Sequence, residues 1–277
     1  MKKIIKKLQS VMLVCMAISG TLSADKNTTK IVKKVSGSVV LIKTYSDQHG
    51  NYQGSGVLIG DGKTIVTNLH VIENANKVFV EFSNGKVIRS SGYLGVNAKK
   101  DLVTIRLPKK ITTTDPVKIT KLDQVQIGEK VVAIGNPKGL TNTVSEGIIS
   151  AIREVNKTTT IIQTTAPVSS GSSGGGLFNE HAELIGITSF GHVSGQNLNF
   201  AYPADEIFPL LKKSSVIPFY QLKRSNMKMK ETQSVFVTKS GKKYHKYNCR
   251  HLRKSRIKIS IVRADRKGYS ACGNCFR

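Results

Sequence analysis

The chain has 277 residues, of which 39% are hydrophobic and 6% aromatic, with no tryptophan. This apolar content is enough for a packed core and excludes an intrinsically disordered chain. A core with few aromatic residues must be aliphatic, which favours β-structure. The formal net charge is +26, and residues 222–277 alone hold 17 Lys and Arg against two acidic residues. Such a segment either attracts an anionic partner, such as nucleic acid or a membrane surface, or forms a solvated face.

Residues 1–24 have the pattern of a signal peptide. Four lysines precede a mostly apolar stretch, residues 8–18, which is too short to span a bilayer as a helix. Small residues follow, and cleavage is predicted after Ala24. An uncleaved membrane anchor and a lipoprotein modified at Cys15 are the alternatives. The segment predicts a periplasmic or secreted protein.

Short β-like runs alternate with turns through the next part of the chain. Residues 25–36 are predicted to be a polar lead-in, and the apolar runs then extend to about residue 207. Asp61-Gly62 and Asn84-Gly85 are hairpin signals. Many short strands at this spacing predict an all-β barrel or sandwich, with a single helix over residues 204–213.

The composition changes after this β-rich region, and the chain divides accordingly. We predict a domain over residues 25–213, a polar and basic linker over residues 214–234, and a second small unit over residues 235–277. The small unit contains three of the four cysteines.

Three residues in the β-rich region form a candidate catalytic triad. Ser173 lies in a Gly-x-Ser-Gly-Gly turn, His70 follows an apolar run, and Asp101 opens another. A serine hydroxyl is a weak nucleophile unless an imidazole takes its proton, and a buried carboxylate must orient that imidazole. The order His, Asp, Ser is that of chymotrypsin-type serine proteases and differs from that of subtilisins and α/β-hydrolases.

The glycines around Ser173 have their own role in this interpretation. Gly171 allows the chain to turn so that its N–H and the N–H of Ser173 point at one spot, which predicts an oxyanion hole. Gly174 and Gly175 leave the backbone bare beside the nucleophile, where a substrate must approach closely. A flexible Ser/Gly loop is the alternative for this run taken alone.

The β-rich region resembles the HtrA/Deg branch of chymotrypsin-like serine proteases over about residues 30–210. The resemblance rests on ordered blocks, which are GSGVLI at 54–59, TNLHVI at 67–72, DLV at 101–103, AIGNPKGL at 133–140, TVSEGIISA at 143–151, IQT at 162–164, GSSGG at 171–175, GI at 186–187 and FAYP at 200–203. Gly176 departs from the family pattern, in which proline commonly follows the two glycines.

The resemblance implies a chymotrypsin-like double β-barrel, with His70 and Asp101 on the first barrel and Ser173 on the second. It implies that Ser189, Phe190 and Gly191 form the strand that pairs with the substrate backbone. The substrates it implies are unfolded or exposed proteins, and many relatives form homo-oligomers. No PDZ domain is recognisable after the protease region, so the PDZ-based assembly of many relatives is not expected.

The last unit contains His245-x₃-Cys249 and Cys272-x₂-Cys275. Three thiolates and one imidazole suit a closed tetrahedral zinc site, and a unit of this size needs such a cross-link. The segment resembles the small Ada-type zinc-binding module, in which the metal is structural. A disulfide with one spare thiol is the alternative, and His251 competes with His245 as the fourth ligand.

The sequence therefore predicts an exported serine endopeptidase that needs no cofactor for catalysis and carries a structural Zn²⁺ in its small C-terminal module. The competing hypothesis is a binding protein that uses its basic module to hold an anionic partner, with the protease domain secondary or idle. The physiological substrate, the oligomeric state and the activation trigger do not follow from the sequence.

Overall fold

The computed structural model describes residues 26–47, 50–136, 142–156, 158–169, 171–189, 199–222, 234–252 and 255–276. The predicted signal peptide and Cys15 lie outside these residues. Within them, no helix is long and apolar enough to cross a membrane.

The first half of the chain forms a seven-stranded antiparallel sheet in the order β5-β4-β1-β2-β3-β7-β6. Its strands are β1 (Val39–Tyr45), β2 (Tyr52–Ile59), β3 (Thr64–Asn68), β4 (Lys77–Glu81), β5 (Val87–Arg89), β6 (Gly92–Asn97) and β7 (Leu102–Arg106). The two hairpin signals are correct, because Gly62 and Gly85 take φ values of 75° and 80° in the β2–β3 and β4–β5 turns. A short helix, α2 (Leu69–Ile72), follows β3 directly.

The second half forms a closed six-stranded barrel in the order β10-β13-β12-β11-β8-β9. Its strands are β8 (Lys130–Gly135), β9 (Thr143–Asn156), β10 (Thr159–Thr164), β11 (Gly176–Phe178), β12 (Leu184–Ser189) and β13 (Asn199–Pro203). A short helix, α3 (Phe208–Leu211), comes after the barrel. One closed barrel and one half-barrel make up the predicted chymotrypsin-like fold.

The first sheet is an open seven-stranded half-barrel, whereas the resemblance implied a barrel in this half as well. Its edge strand β6 also pairs with a segment that follows the barrel. The N–H of Tyr93 donates to the carbonyl oxygen of Ile217 at 2.9 Å, and the N–H of Ile217 donates to the carbonyl oxygen of Tyr93 at 2.8 Å. Phe219 and Leu222 of the same segment are buried in the core of this sheet. The predicted linker over 214–234 is therefore wrong for its first part, because residues 217–222 complete the first sheet.

The predicted polar lead-in is also wrong. Residues 26–35 form an amphipathic helix, α1 (Lys26–Val35), whose Ile31 and Val35 are buried. They pack in a shared core that contains side chains of both sheets, such as Val57 and Phe178. This core joins the two halves and fixes the position of one sheet relative to the other.

The C-terminal unit is a small four-stranded sheet in the order β16-β14-β15-β17. Its elements are β14 (Ser234–Val237), β15 (Lys243–His245), β16 (Ile257–Ser260), the helix α4 (Ile261–Arg266) and β17 (Ser270–Ala271). Its core is small and contains Val235, Val237, Leu252 and Ala264 among its buried apolar residues.

Candidate active site and metal cluster

The pairing of β3 with β7 brings His70 and Asp101 together. Asn68 and Leu102 are partners across this pair, so the residues just beyond β3 lie opposite the residue just before β7. His70 Nδ1 is 2.5 Å from Asp101 Oδ2, and the backbone N–H of His70 donates to Asp101 Oδ1 at 2.9 Å. The carboxylate therefore holds both the ring and the backbone of the histidine, as a triad aspartate must.

Asp101 adopts a left-handed backbone conformation, with φ at 51°. Its carbonyl oxygen accepts two hydrogen bonds, from the backbone N–H of Leu69 at 2.9 Å and from Nδ2 of Asn68 at 3.0 Å. These bonds support a conformation that is unfavourable for most residues and that Asp tolerates better. Sequence reasoning missed Asn68, although its position two residues before His70 was a signal.

Ser173 is almost completely buried and lies in the nucleophile loop, which we define as residues 171–175. Gly174 has a φ of 85°, and a Cβ added there would lie 2.2 Å from the carbonyl oxygen of Ser55. Only glycine fits at this position. The glycine prediction for the turn is thus explained by a close backbone approach as well as by the turn itself.

The nucleophile loop is placed beside the helix that bears His70. Ser55 of β2 donates its backbone N–H to the carbonyl oxygen of Ser173 at 2.8 Å. A Cβ added to Gly54 would meet the side chain of Val71 at 2.7 Å and the carbonyl oxygen of Ser173 at 3.3 Å. Gly54 therefore separates Ser173 from α2 by little more than the thickness of one backbone.

The predicted substrate strand is only partly described. Ser189 ends β12 and pairs with Phe200 of β13. Phe190 and Gly191 lie outside the described residues.

A second cluster of functional side chains lies in the C-terminal unit. His245, Cys249 and Cys272 are all buried. The distance from His245 Nδ1 to Cys249 Sγ is 3.2 Å, and the distance from Cys249 Sγ to Cys272 Sγ is 4.0 Å. Two sulfurs that each lie about 2.3 Å from a tetrahedral zinc are separated by about 3.8 Å, so these donors fit a zinc ion. A disulfide would need an S–S distance of about 2.05 Å, and the described cysteines are free thiols.

Two further donors lie against this cluster. His251 Nδ1 is 3.9 Å from Cys272 Sγ, and the four ligand atoms of His245, Cys249, His251 and Cys272 lie within 4.8 Å of one another. Cys275 packs against the same cysteines, and its sulfur accepts the backbone N–H of Lys246 at 3.4 Å. The unit therefore brings five donors to a site that needs four.

The surroundings of the cluster change the protonation of its members. Burial, followed by the nearby charges of His251 and Lys243, lowers the pKa of His245 and favours the neutral imidazole that binds metal. Burial raises the pKa of the Cys275 thiol to about 11. Burial also raises the pKa of Cys272, but hydrogen bonds to its sulfur outweigh that effect and lower it.

Comparison with known proteins shows which proteins this part of the chain is similar to. Residues 54–187 match the model of the trypsin-like peptidase domain. The chain is 38% identical over 182 residues to a probable periplasmic serine endoprotease DegP-like protein of Buchnera aphidicola subsp. Schizaphis graminum, a match that covers 63% of this chain and 37% of that protein. It is 36% identical over 173 residues to serine endoprotease DegS of Haemophilus influenzae, with 59% of this chain and 50% of that protein covered.

A solved structure of the HtrA-type protease AlgW, determined with a tripeptide, has the same fold. The TM-score is 0.60 at 26% identity, and the match covers 67% of this chain and 62% of that one. The region over residues 54–187 is thus similar to trypsin-like peptidase domains and to serine endoproteases of the DegP and DegS type. The chain spans between about a third and a half of the length of the curated relatives it matches.

Proposed function

We propose that this chain is a periplasmic serine endopeptidase in which Ser173 is the nucleophile, His70 the general base and Asp101 the group that orients the histidine. The observation that carries the proposal is the double contact between Asp101 and His70, at 2.5 Å to the ring and 2.9 Å to the backbone. The similarity to periplasmic DegP and DegS endoproteases supports it and also supports the location.

The geometry suits acyl transfer in two steps. Because Asp101 holds Nδ1 of His70, Nε2 is the nitrogen that takes the proton from Ser173 Oγ while Oγ attacks the peptide carbonyl carbon. The carbonyl oxygen becomes an oxyanion that accepts from the N–H groups of Gly171 and Ser173. The C–N bond then breaks, the amine leaves with the proton from His70, and a water activated by His70 hydrolyses the acyl-enzyme.

The substrates we propose are exposed or unfolded segments of proteins. An extended segment would pair its backbone with Ser189, at the end of β12, and with Phe190 and Gly191. Self-association is a further part of this proposal.

Reaction with a fluorophosphonate tests the nucleophile directly. The purified chain should be labelled once, at Ser173, and should hydrolyse casein; Ser173→Ala should lose both properties and keep its melting temperature. Ser83→Ala, which changes an exposed serine in the β4–β5 turn, is the control and should behave as wild type. A wild-type chain that is neither labelled nor active would instead favour the competing hypothesis of a binding protein whose protease domain is idle.

We also propose a structural Zn²⁺ in the C-terminal unit, held by His245, Cys249, Cys272 and Cys275. Bound there, the ion would cross-link β15 to the last turn of the chain, and with four protein ligands it would leave no position for a substrate. We choose Cys275 over His251 as the fourth ligand because of the position of the proton on the His251 ring. Its Nε2 accepts a hydrogen bond from Arg250 Nε at 3.3 Å, so the proton of the neutral ring is on Nδ1.

A protonated Nδ1 cannot bind a metal, but it can donate to the nearby sulfur of Cys272. Elemental analysis of the full chain should therefore find one zinc, which Cys275→Ser and Cys272→Ser lose and His251→Ala keeps. His181→Ala, which changes an exposed histidine of the barrel, is the control. Loss of zinc in His251→Ala with retention in Cys275→Ser would reverse the assignment of the fourth ligand.

A second candidate function is binding of an anionic partner by the C-terminal unit. Its exposed basic side chains are Lys239, Lys242, Lys243, Lys246, Arg250, Arg256, Lys258, Arg263 and Lys267. Arg256 stacks 4.3 Å over the ring of Tyr247, which is itself exposed, and this arrangement suits a nucleic-acid strand. Binding of a labelled single-stranded DNA should weaken steeply with salt, and salt-independent or undetectable binding would exclude this role.

A further inference from the structure

The backbone of the nucleophile loop is held by hydrogen bonds from outside it. The carbonyl oxygens of Gly171, Ser172 and Ser173 accept from Ser55 Oγ at 2.8 Å, Thr188 Oγ1 at 2.8 Å and Ser55 N at 2.8 Å respectively. Ser55 belongs to the first sheet and Thr188 to the closed barrel. Both side chains are buried, so one hydroxyl from each half of the domain reaches the same loop.

Holding a carbonyl fixes the direction of the N–H in the same peptide plane, because the two groups of a trans peptide point in opposite directions. The carbonyl of Ser172 shares its plane with the N–H of Ser173. The bond from Thr188 Oγ1, together with the one from Gly175 N at 2.9 Å, therefore sets the direction of the Ser173 N–H.

The Ser55 hydroxyl anchors Gly171, the residue that bears the other donor. Gly171 has a φ of 92°, and a glycine passes between backbone conformations at low cost. The N–H of Gly171 belongs to the preceding peptide, and its direction relative to the 171–172 peptide depends on the φ and ψ of this glycine. Ser55 Oγ donates to the carbonyl oxygen of the 171–172 peptide. The N–H of the same peptide, which belongs to Ser172, donates to the carbonyl oxygen of Ser169 at 3.0 Å.

The direction of the Ser55 hydroxyl hydrogen is itself determined. Its oxygen accepts the backbone N–H of Asn136, at the end of β8, at 2.8 Å, so the hydroxyl donates to Gly171. The neighbouring backbone is fixed as well, because the carbonyl oxygen of Ser55 accepts Thr67 Oγ1 at 2.7 Å. The N–H, the carbonyl and the hydroxyl of Ser55 are therefore all engaged, and two of these bonds end on the nucleophile loop.

We propose that Thr188 and Ser55 are positioning residues for the oxyanion hole: Thr188 aims the N–H of Ser173, and Ser55 anchors Gly171, the residue that bears the other donor. The inference rests on the proposed serine-protease function and names the side chains on which its oxyanion hole depends. Neither residue touches the reacting atoms, so their effect is on the transition state and reaches the substrate only through the loop.

The test is a kinetic comparison of Ser55→Ala and Thr188→Val with wild type in the full chain. Loss of one oxyanion donor costs about 10²–10³ in kcat. Since each variant leaves the donor present but poorly aimed, we expect kcat to fall about 10-fold or more while KM changes less than about 3-fold. Thr188→Ser keeps the hydroxyl and should restore kcat, which a purely steric role of Thr188 would not predict.

A peptide aldehyde provides a second measurement, because its adduct with Ser173 carries an oxyanion whereas an uncleaved peptide does not. In both variants its affinity should fall in parallel with kcat/KM. Peptide affinity measured in the Ser173→Ala background should stay unchanged when Ser55→Ala or Thr188→Val is added.

Ser38→Ala is the matched control for stability. Ser38 is equally buried in the first half of the chain, and its hydroxyl donates to the carbonyl oxygen of Asp115 at 2.5 Å. It should lower the melting temperature and leave kcat and aldehyde affinity unchanged. Undiminished kcat in folded Ser55→Ala and Thr188→Val would overturn the inference alone. An unreactive wild-type chain would overturn the protease proposal and the inference together.

Discussion

At the scale of single residues, the candidate active site depends on one unfavourable backbone conformation. Asp101 lies in the left-handed region, which costs about 1 kcal/mol or more for a residue other than glycine. Its carbonyl and carboxylate are both held by the segment that precedes and contains His70. Asn68 is the side chain in this arrangement that can be removed without touching the triad.

We predict that Asn68→Ala lowers both stability and activity. The substitution removes the bond from Nδ2 to the carbonyl oxygen of Asp101, a contribution of about 1 kcal/mol. Relaxation of Asp101 should also lower kcat several-fold. Asn76→Ala removes an exposed side-chain hydrogen bond to Asp47 and is the control. Urea denaturation and casein hydrolysis measure the two effects, and equal values for Asn68→Ala and wild type would show that Asn68 supports neither.

At the scale of elements, the β11–β12 turn is tied to a segment that runs alongside β12. The segment bonds to β12 through Lys118 and Thr120, whose backbone groups pair with Leu184. Glu183, the residue before Leu184, accepts hydrogen bonds from the Lys118 and Thr120 side chains at 2.6 Å each. The hydrogen bond from Lys118, followed by that from Thr120, lowers the pKa of Glu183 to about 2.

This low pKa predicts a pH-dependent contribution to stability. Because the pKa is lower in the folded chain than the ordinary value of 4.5, the stabilisation is complete above that ordinary value. It is lost as the pH falls through the folded pKa. Glu183→Gln should therefore lower the melting temperature most above about pH 5, and the difference from wild type should vanish near pH 2.

The matched control for Glu183 is Glu180→Gln, in the same turn. The Glu180 side chain is half-exposed, and its ion pair with His181 has a separation of 3.9 Å. Exposed pairs of this kind contribute little, so Glu180→Gln should follow wild type across the pH range. A Glu183→Gln difference that stays constant from pH 7 to pH 2 would contradict the role of ionisation.

At the scale of the whole molecule, the segment that follows the closed barrel packs against the first half of the chain. Residues 217–222 return to the first sheet, where Ile217 pairs with Tyr93 and the Phe219 ring lies 6.4 Å from that of Tyr93. Gly92 accommodates this pairing, because a Cβ there would lie 2.5 Å from the carbonyl oxygen of Ile217. The described residues that follow the barrel, up to Leu222, therefore pack on the sheet that contains β3 and β7.

We predict that Phe219→Ala destabilises the protease domain, although the residue lies outside the predicted domain boundary. Removing a buried phenylalanine side chain costs about 3–5 kcal/mol, and Phe219 is only 7% exposed. Tyr220→Ala is the control, since the neighbouring Tyr220 is 56% exposed. Calorimetry should show a large fall in the melting temperature for Phe219→Ala alone. Equal melting temperatures for the two variants would mean that this segment adds nothing to the first sheet.

The sequence by itself determined the features that depend only on residues close to one another in the chain. The Gly-x-Ser-Gly-Gly turn, the hairpin glycines and the paired metal-ligand spacings each express a local demand for backbone freedom or for donors a few residues apart. The alternating apolar runs likewise predicted an all-β fold, because strand periodicity is a local property. The order of His70, Asp101 and Ser173 added the chymotrypsin-like class.

Only the tertiary structure decided which distant residues support these groups. The partners of the nucleophile loop, Ser55 and Thr188, and the packing of Phe219 depend on strand register and on the path of the chain over many tens of residues. Hydroxyl and phenyl groups of this kind occur throughout the sequence, and no local pattern marks the few that are buried against the site. The contact between His251 and Cys272, 21 residues apart, likewise arises only when both turns of the small unit have folded, because a hydrogen bond depends on distances that a sequence does not contain.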